Sequence, residues 1–102
     1  MSQCTRIASV SELPPEGELR EFPYLSGTVC VANHLGVITV LGNVCPHKGG
    51  PLAEGAIENG KLVCPWHGWE FNLASGQGID HPGASVQVFE TEIQGGDVFL
   101  KS

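Results

Sequence analysis

The sequence predicts an all-β chain, folded as one small antiparallel β-barrel or sandwich. Three observations carry this expectation. Fourteen Gly and seven Pro among 102 residues cut the chain into short elements joined by tight turns. The apolar runs between them are short and β-branched, as in Thr28–Ala32 (TVCVA) and Val37–Leu41 (VITVL). No stretch keeps a helical apolar period over about a dozen residues. The length bounds the answer to a single domain spanning residues 1–102. A hydrophobic content of 41% against 16% charged is that of a chain that folds.

Thr5–Val10 reads as the first strand, broken off by Pro14-Pro15 and Gly17. Leu19–Leu25 reads as the second, and Pro23, which has no N–H to give a ladder, assigns it to an edge. Thr28–Ala32 and Val37–Leu41 flank Asn33-His34-Leu35-Gly36 as a hairpin. Gly42-Asn43 leads into a loop rich in Cys, His, Pro and Gly. Leu52–Glu58 is expected to make one turn of helix. Lys61–Val63 and Trp69–Leu73 are strands entering and leaving a second such loop. Ala74–Gly78 is a turn and Ile79–Ala84 a loop around Pro82. Ser85–Ile93 and Asp97–Lys101 close the chain as two strands joined at Gln94-Gly95-Gly96.

Eleven acids against five bases give a net charge of −6. That disfavours nucleic acid, which needs a basic face, and permits steering toward a basic protein. The start, MSQCTRIASV, lacks a basic stretch followed by an apolar one, and no apolar run is long enough to span a bilayer. The expectation is a soluble cytoplasmic protein with no membrane partner. Structural disulfides are uncommon in that compartment, so clustered Cys and His point to metal.

The cluster is Cys45-Pro46-His47 and Cys64-Pro65-Trp66-His67, with sixteen residues between His47 and Cys64. Three readings compete: structural zinc, an iron–sulfur cluster, and unrelated cysteines and histidines. Chance is disfavoured because both loops pair a thiol with an imidazole among Pro and Gly. Zinc takes two Cys and two His, but zinc fingers usually put both Cys in one hairpin and both His on a helix. A mixed pair in each loop suits a centre with two metals, thiolates on one and imidazoles on the other. Four thiolates around two ferric ions and two sulfides leave a net negative charge. Two neutral imidazoles in their place leave the charge near zero, which favours adding an electron. A zinc-stapled interaction domain remains as the reading of a different class.

The run CPH through CPWHGW resembles the Rieske motif, C-x-H…C-x-x-H, and the chain is similar in size to stand-alone Rieske-type ferredoxins. The resemblance implies one [2Fe–2S] cluster per chain, with Cys45 and Cys64 on the inner iron and His47 and His67 on the outer one. It implies backbone N–H donors to the sulfur atoms from Lys48, Gly49, Gly50 and Gly68, and a covering third loop containing Pro82. Pro46 and Pro65 stiffen the two ligand loops. Trp66 is expected either as an exposed docking contact or packed on Pro82. The activity implied is electron transfer rather than catalysis: single electrons pass from an NAD(P)H-dependent flavoprotein reductase to a terminal Rieske non-haem iron oxygenase, as in ring-hydroxylating dioxygenase systems. The small subunit of an assimilatory nitrite reductase is the rival within the same family.

Two departures matter. Respiratory-complex Rieske proteins carry an extra Cys in each loop, joined as a disulfide; here those positions hold Gly50 and Trp66. They also place Ser and Tyr after the second loop, where this chain has Trp69 and Phe71. Fewer donors to the cluster side imply a potential at the lower end of the Rieske range. Outside the motif, Cys30 is expected as a buried thiol and Cys4 as a free one. His34 is expected to face solvent in a turn, and His81 to be a non-ligand beside Pro82.

Overall fold

The computed structural model describes residues 4–25, 27–46, 49–66, 68–79, 81 and 83–101. Among these residues nine strands follow one another: β1 Cys4–Ser9, β2 Leu19–Tyr24, β3 Gly27–His34, β4 Val37–Gly42, β5 Ala56–Glu58, β6 Lys61–Val63, β7 Glu70–Asn72, β8 Val88–Gln94 and β9 Asp97–Lys101. All pairings are antiparallel. Six strands form one sheet in the order β1-β9-β8-β4-β3-β2, and β5-β6-β7 form another. The larger sheet curls until its end strands β1 and β2 meet, so it nearly closes into a barrel. The described residues contain no α-helix.

The alternation of side chains in β3 explains where the core sits. Val29, Cys30, Val31 and Ala32 are all fully buried, which requires cover on both faces. Val29 and Val31 point into a cluster with Ile7, Phe22, Val40, Val98 and Leu100 inside the curled sheet. Cys30 and Ala32 point the other way, into a cluster with Leu41, Cys45, Leu52, Leu62, Cys64 and Phe71. The strands β3 and β4 are thus a wall shared by two apolar clusters. The second cluster contains both motif cysteines.

Most expected strands stand at or near their expected bounds, with informative shifts. The first strand ends at Ser9, because Val10–Glu12 turn into a 3-10 helix whose Glu12 carboxylate accepts the Ser9 N–H at 2.8 Å. β2 lies at the sheet's end, as Pro23 requires. The β3–β4 turn is shorter than expected: only Leu35 and Gly36 lie outside the strands, with φ of 54° and 84°. His34 is correspondingly the last residue of β3 and half-buried, not a turn residue facing solvent.

The helical turn expected over Leu52–Glu58 is corrected. Only Leu52–Glu54 is helical, as a single 3-10 turn, and Ala56–Glu58 is β5. Asn59 and Gly60, with φ of 53° and 76°, turn β5 back onto β6 as a two-residue hairpin. Gly55 separates the two pieces because a Cβ there would lie 1.9 Å from the Val63 carbonyl oxygen.

Candidate iron–sulfur site

The strands deliver two Cys loops to one place. The first runs out of β4 and is pinched shut by an antiparallel bridge between Val44 and Pro51. Inside the pinch the Cys45 N–H donates to the Gly50 carbonyl at 2.9 Å, and the Gly49 N–H donates to the Cys45 carbonyl at 2.8 Å. Gly49 takes φ of 79°, a conformation that favours glycine. The second loop joins β6 to β7 and closes where the Cys64 N–H donates to the Trp69 carbonyl at 2.8 Å.

Both thiols point inward. Cys45 is 1% and Cys64 2% exposed, among Leu52, Leu62 and Phe71. The two thiols share one buried cluster, close enough for Cys45 to act on the ionisation of Cys64. The Trp66 N–H also donates to Cys64 Sγ, at 3.4 Å. Burial first, and then the neighbouring Cys45, push the Cys64 thiol above its ordinary value. A metal that takes both sulfurs must therefore displace their protons, and the Trp66 N–H is a donor ready for the thiolate that results.

Asn43, two residues before Cys45, was not expected to matter. It is the only buried polar or charged residue among those described, at 4% exposure. Its Nδ2 donates to Glu21 Oε1 at 2.7 Å and to Thr28 Oγ1 at 3.0 Å, while its Oδ1 accepts the Ala53 N–H at 2.8 Å. Its carbonyl accepts the Leu52 N–H at 2.8 Å. One amide thereby ties β2, the start of β3 and the 3-10 turn to the base of the first Cys loop. The sequence signal was an Asn directly before a metal-type loop, a position where a buried amide fixes backbone.

A third loop meets the second. The ring of His81 stacks on Trp69, with centroids 3.6 Å apart and planes 12° from parallel. The Ile79 N–H donates to the Glu70 carbonyl at 2.9 Å and holds this loop beside β7. His81 thus contacts an aromatic ring of the second Cys loop.

Of the expected site residues, Cys45 and Cys64 are brought together. Gly49 and Gly68 are exposed, and Gly50 is buried. The Gly49 N–H is engaged within its own loop, on the Cys45 carbonyl, and the Trp66 N–H is a sulfur donor not expected from the sequence. Trp66 is 48% exposed. His47, Lys48, His67 and Pro82 lie outside the described residues. Cys30 is fully buried, Cys4 is exposed, and all four cysteines are free thiols.

The residues present fit an iron–sulfur cluster. Two buried thiols in one apolar cluster, in loops rigidified by their own backbone bonds, are donors of the kind such a cluster takes. Among the described residues no helix is long and apolar enough to cross a membrane.

Comparison with known proteins agrees with this chemistry. The Rieske [2Fe-2S] domain family matches residues 3–90. Apoptosis-inducing factor 3 of Homo sapiens is 36% identical over 87 residues, which cover 84% of this chain and 14% of that protein. The chain thus spans about one seventh of that relative's length. The ferredoxin component of the alkene monooxygenase system of Xanthobacter autotrophicus is 33% identical over 86 residues, covering 83% of this chain and 70% of that one. Among solved structures, the ferredoxin of Sphingomonas yanoikuyae B1 superposes with a TM-score of 0.86 at 24% identity, over 98% of this chain and 99% of that one. The buried thiol pair, the two closed loops and these relatives together show that the chain belongs to the Rieske [2Fe-2S] domain family, which binds a [2Fe–2S] cluster, and is ferredoxin-like.

Proposed function

We propose that the protein carries single electrons from an NAD(P)H-dependent flavoprotein reductase to a terminal Rieske non-haem iron oxygenase, and catalyses no reaction alone. Cys45 and Cys64 would hold the inner iron, and His47 and His67 the outer one. Bound there, the cluster supplies a centre that takes up and gives up one electron. The observation that carries the reading is the pair of thiols buried in one cluster at the base of two closed loops.

The chain's own residues supply the rest. Leu52, Leu62 and Phe71 exclude water from the sulfurs, and the Trp66 N–H offsets charge on Cys64. The exposed edge is formed by Val44, Pro46, Pro65 and Trp66, with Val44 at 65% exposure. A small apolar face of this kind suits a weak, short-lived redox encounter. Arg6, Lys61 and Lys101 each pair with an acid of the same chain, so the acid surplus is left to steer a basic partner. The ferredoxin role of the Xanthobacter relative within a monooxygenase system supports an oxygenase as acceptor. Four free thiols are in keeping with a cytoplasmic setting.

The test is iron, acid-labile sulfide and zinc on pure protein, with visible spectra before and after dithionite. Two irons and two sulfides per chain, with colour that bleaches, are expected. One zinc and no sulfide from iron-replete, anaerobic expression would replace the electron carrier with a zinc-stapled interaction domain. Electron delivery is then tested with a flavoprotein reductase and a Rieske oxygenase, by oxygenase turnover that depends on this chain.

A further inference from the structure

Gly50 is buried, and a Cβ built on it would lie 2.9, 3.0 and 3.2 Å from Cδ2, Cγ and Cε3 of Trp66. The indole face therefore rests directly on the Gly50 backbone. The φ of Gly50 is outside the left-handed region, so its backbone does not demand glycine; the indole does. Gly50 is also the residue whose carbonyl closes the first Cys loop on the Cys45 N–H. Trp66 belongs to the second loop, where its backbone N–H donates to Cys64 Sγ. One residue thus covers the closing point of one cysteine loop and hydrogen-bonds the sulfur of the other.

The spacing carries a second implication. In a disulfide, an S–S bond of about 2.0 Å with ordinary angles puts one Cβ about 3 Å from the other Sγ. The Cβ position of residue 50 lies 3.0 Å from Trp66 Cγ, the atom that a cysteine Sγ would replace in the same rotamer. That single separation matches the Cβ–Sγ distance across a cystine.

We propose that Trp66 is a positioning residue, a non-covalent clip that holds the two cysteine loops together and sets how long they retain the cluster. This rests on the cluster reading above. The clip predicts that a covalent link between positions 50 and 66 replaces it.

The experiment compares anaerobic holoprotein of the native sequence with Trp66→Ala, Trp66→Phe, Gly50→Ala and the double variant Gly50→Cys/Trp66→Cys. The readout is the rate of visible bleaching in excess chelator. Trp66→Ala is expected to lose its cluster about tenfold faster or more, because a half-buried indole is removed. Gly50→Ala, which keeps the indole but lifts it, shifts the rate the same way, and Trp66→Phe restores most of the retention. The double variant is expected to bleach slowly after oxidation by glutathione disulfide and fast after reduction by a phosphine. Peptide mapping finds the 50–66 disulfide in it, with or without metal.

Native rates in both Trp66→Ala and Gly50→Ala would overturn the clip. So would a folded double variant that forms no 50–66 disulfide. If Trp66→Ala does not fold, the redox dependence of the double variant decides alone. A native protein with no iron and no sulfide defeats the cluster reading instead, and the disulfide map then decides the clip.

Discussion

Replacing Asn43 by Asp keeps the shape of the side chain and inverts one donor. In the native chain Asn43 Nδ2 lies 2.7 Å from Glu21 Oε1. In Asn43→Asp two carboxylates face each other there. The variant loses one hydrogen bond to a charged acceptor, which is typically about 1.5–3 kcal/mol. Glu21 reaches solvent, so screening limits the added repulsion, and the lost hydrogen bond sets the scale. The Thr28 hydroxyl can turn to donate, and the Ala53 N–H keeps its acceptor, so those two contacts survive. The expected loss at pH 8 is about 2–3 kcal/mol, or roughly 10–20 °C in Tm for a domain of this size.

The sign with pH is distinctive. Two carboxyls sharing a site raise the folded pKa of the pair above its unfolded value. A raised pKa stabilises the fold at low pH and loses that contribution as pH rises. Asn43→Asp should therefore approach the native protein near pH 5 and fall away from it toward pH 8. The assay is urea unfolding of both holoproteins in parallel at each pH, taking the difference between them so that shared acid effects cancel. A deficit that is equal at both pH values, or larger at the lower one, refutes the assigned hydrogen bond.

Three further outcomes are expected. Gly55→Ala should lose about 3 kcal/mol or more, because its Cβ would lie 1.9 Å from the Val63 carbonyl oxygen, and thermal unfolding within about 1 kcal/mol of native would contradict that contact. Burial, and then the Glu21 carboxylate, push the Cys30 thiol from 9.0 up to about 12. The unfolded chain ionises first as pH rises, so stability is whole below about pH 9 and falls by up to about 4 kcal/mol toward pH 12. Cys30→Ala should thus be the weaker protein at neutral pH and the stronger one near pH 11, and parallel urea midpoints that never converge would count against it. With Trp69 and Phe71 in place of side-chain hydroxyls, voltammetry should give a potential below zero, in the lower part of the range of about −150 to +300 mV. A value well above zero would mean that other donors reach the cluster.

The family was legible because its motif combines few residue types at a fixed spacing. The starts of β6 and β9 were legible because Gly60 and Gly95-Gly96 stand directly before them. The expected helical turn over Leu52–Glu58 passed over the Asn59-Gly60 dipeptide that follows it, a strong hairpin signal. What escaped the sequence is long-range. The side-chain partners of Asn43 lie 22, 15 and 10 residues away, and no local pattern foretells them. The contact of Trp66 with Gly50 was hidden for the same reason: a glycine required by a distant ring looks like any other loop glycine.

The wall formed by β3 and β4 has a consequence for cooperativity. Each apolar cluster borrows one face of the same strands, yet only one of them holds the cysteines. A cluster bound at Cys45 and Cys64 would cross-link that side alone, because neither cysteine lies in the interior between β1, β9 and β2. The two sides are therefore expected to open as separate units that share a partition. Amide exchange in metal-free protein should quicken through β5, β6 and β7 while β1 and β9 stay protected. The scaffold can then wait, folded, for iron to arrive.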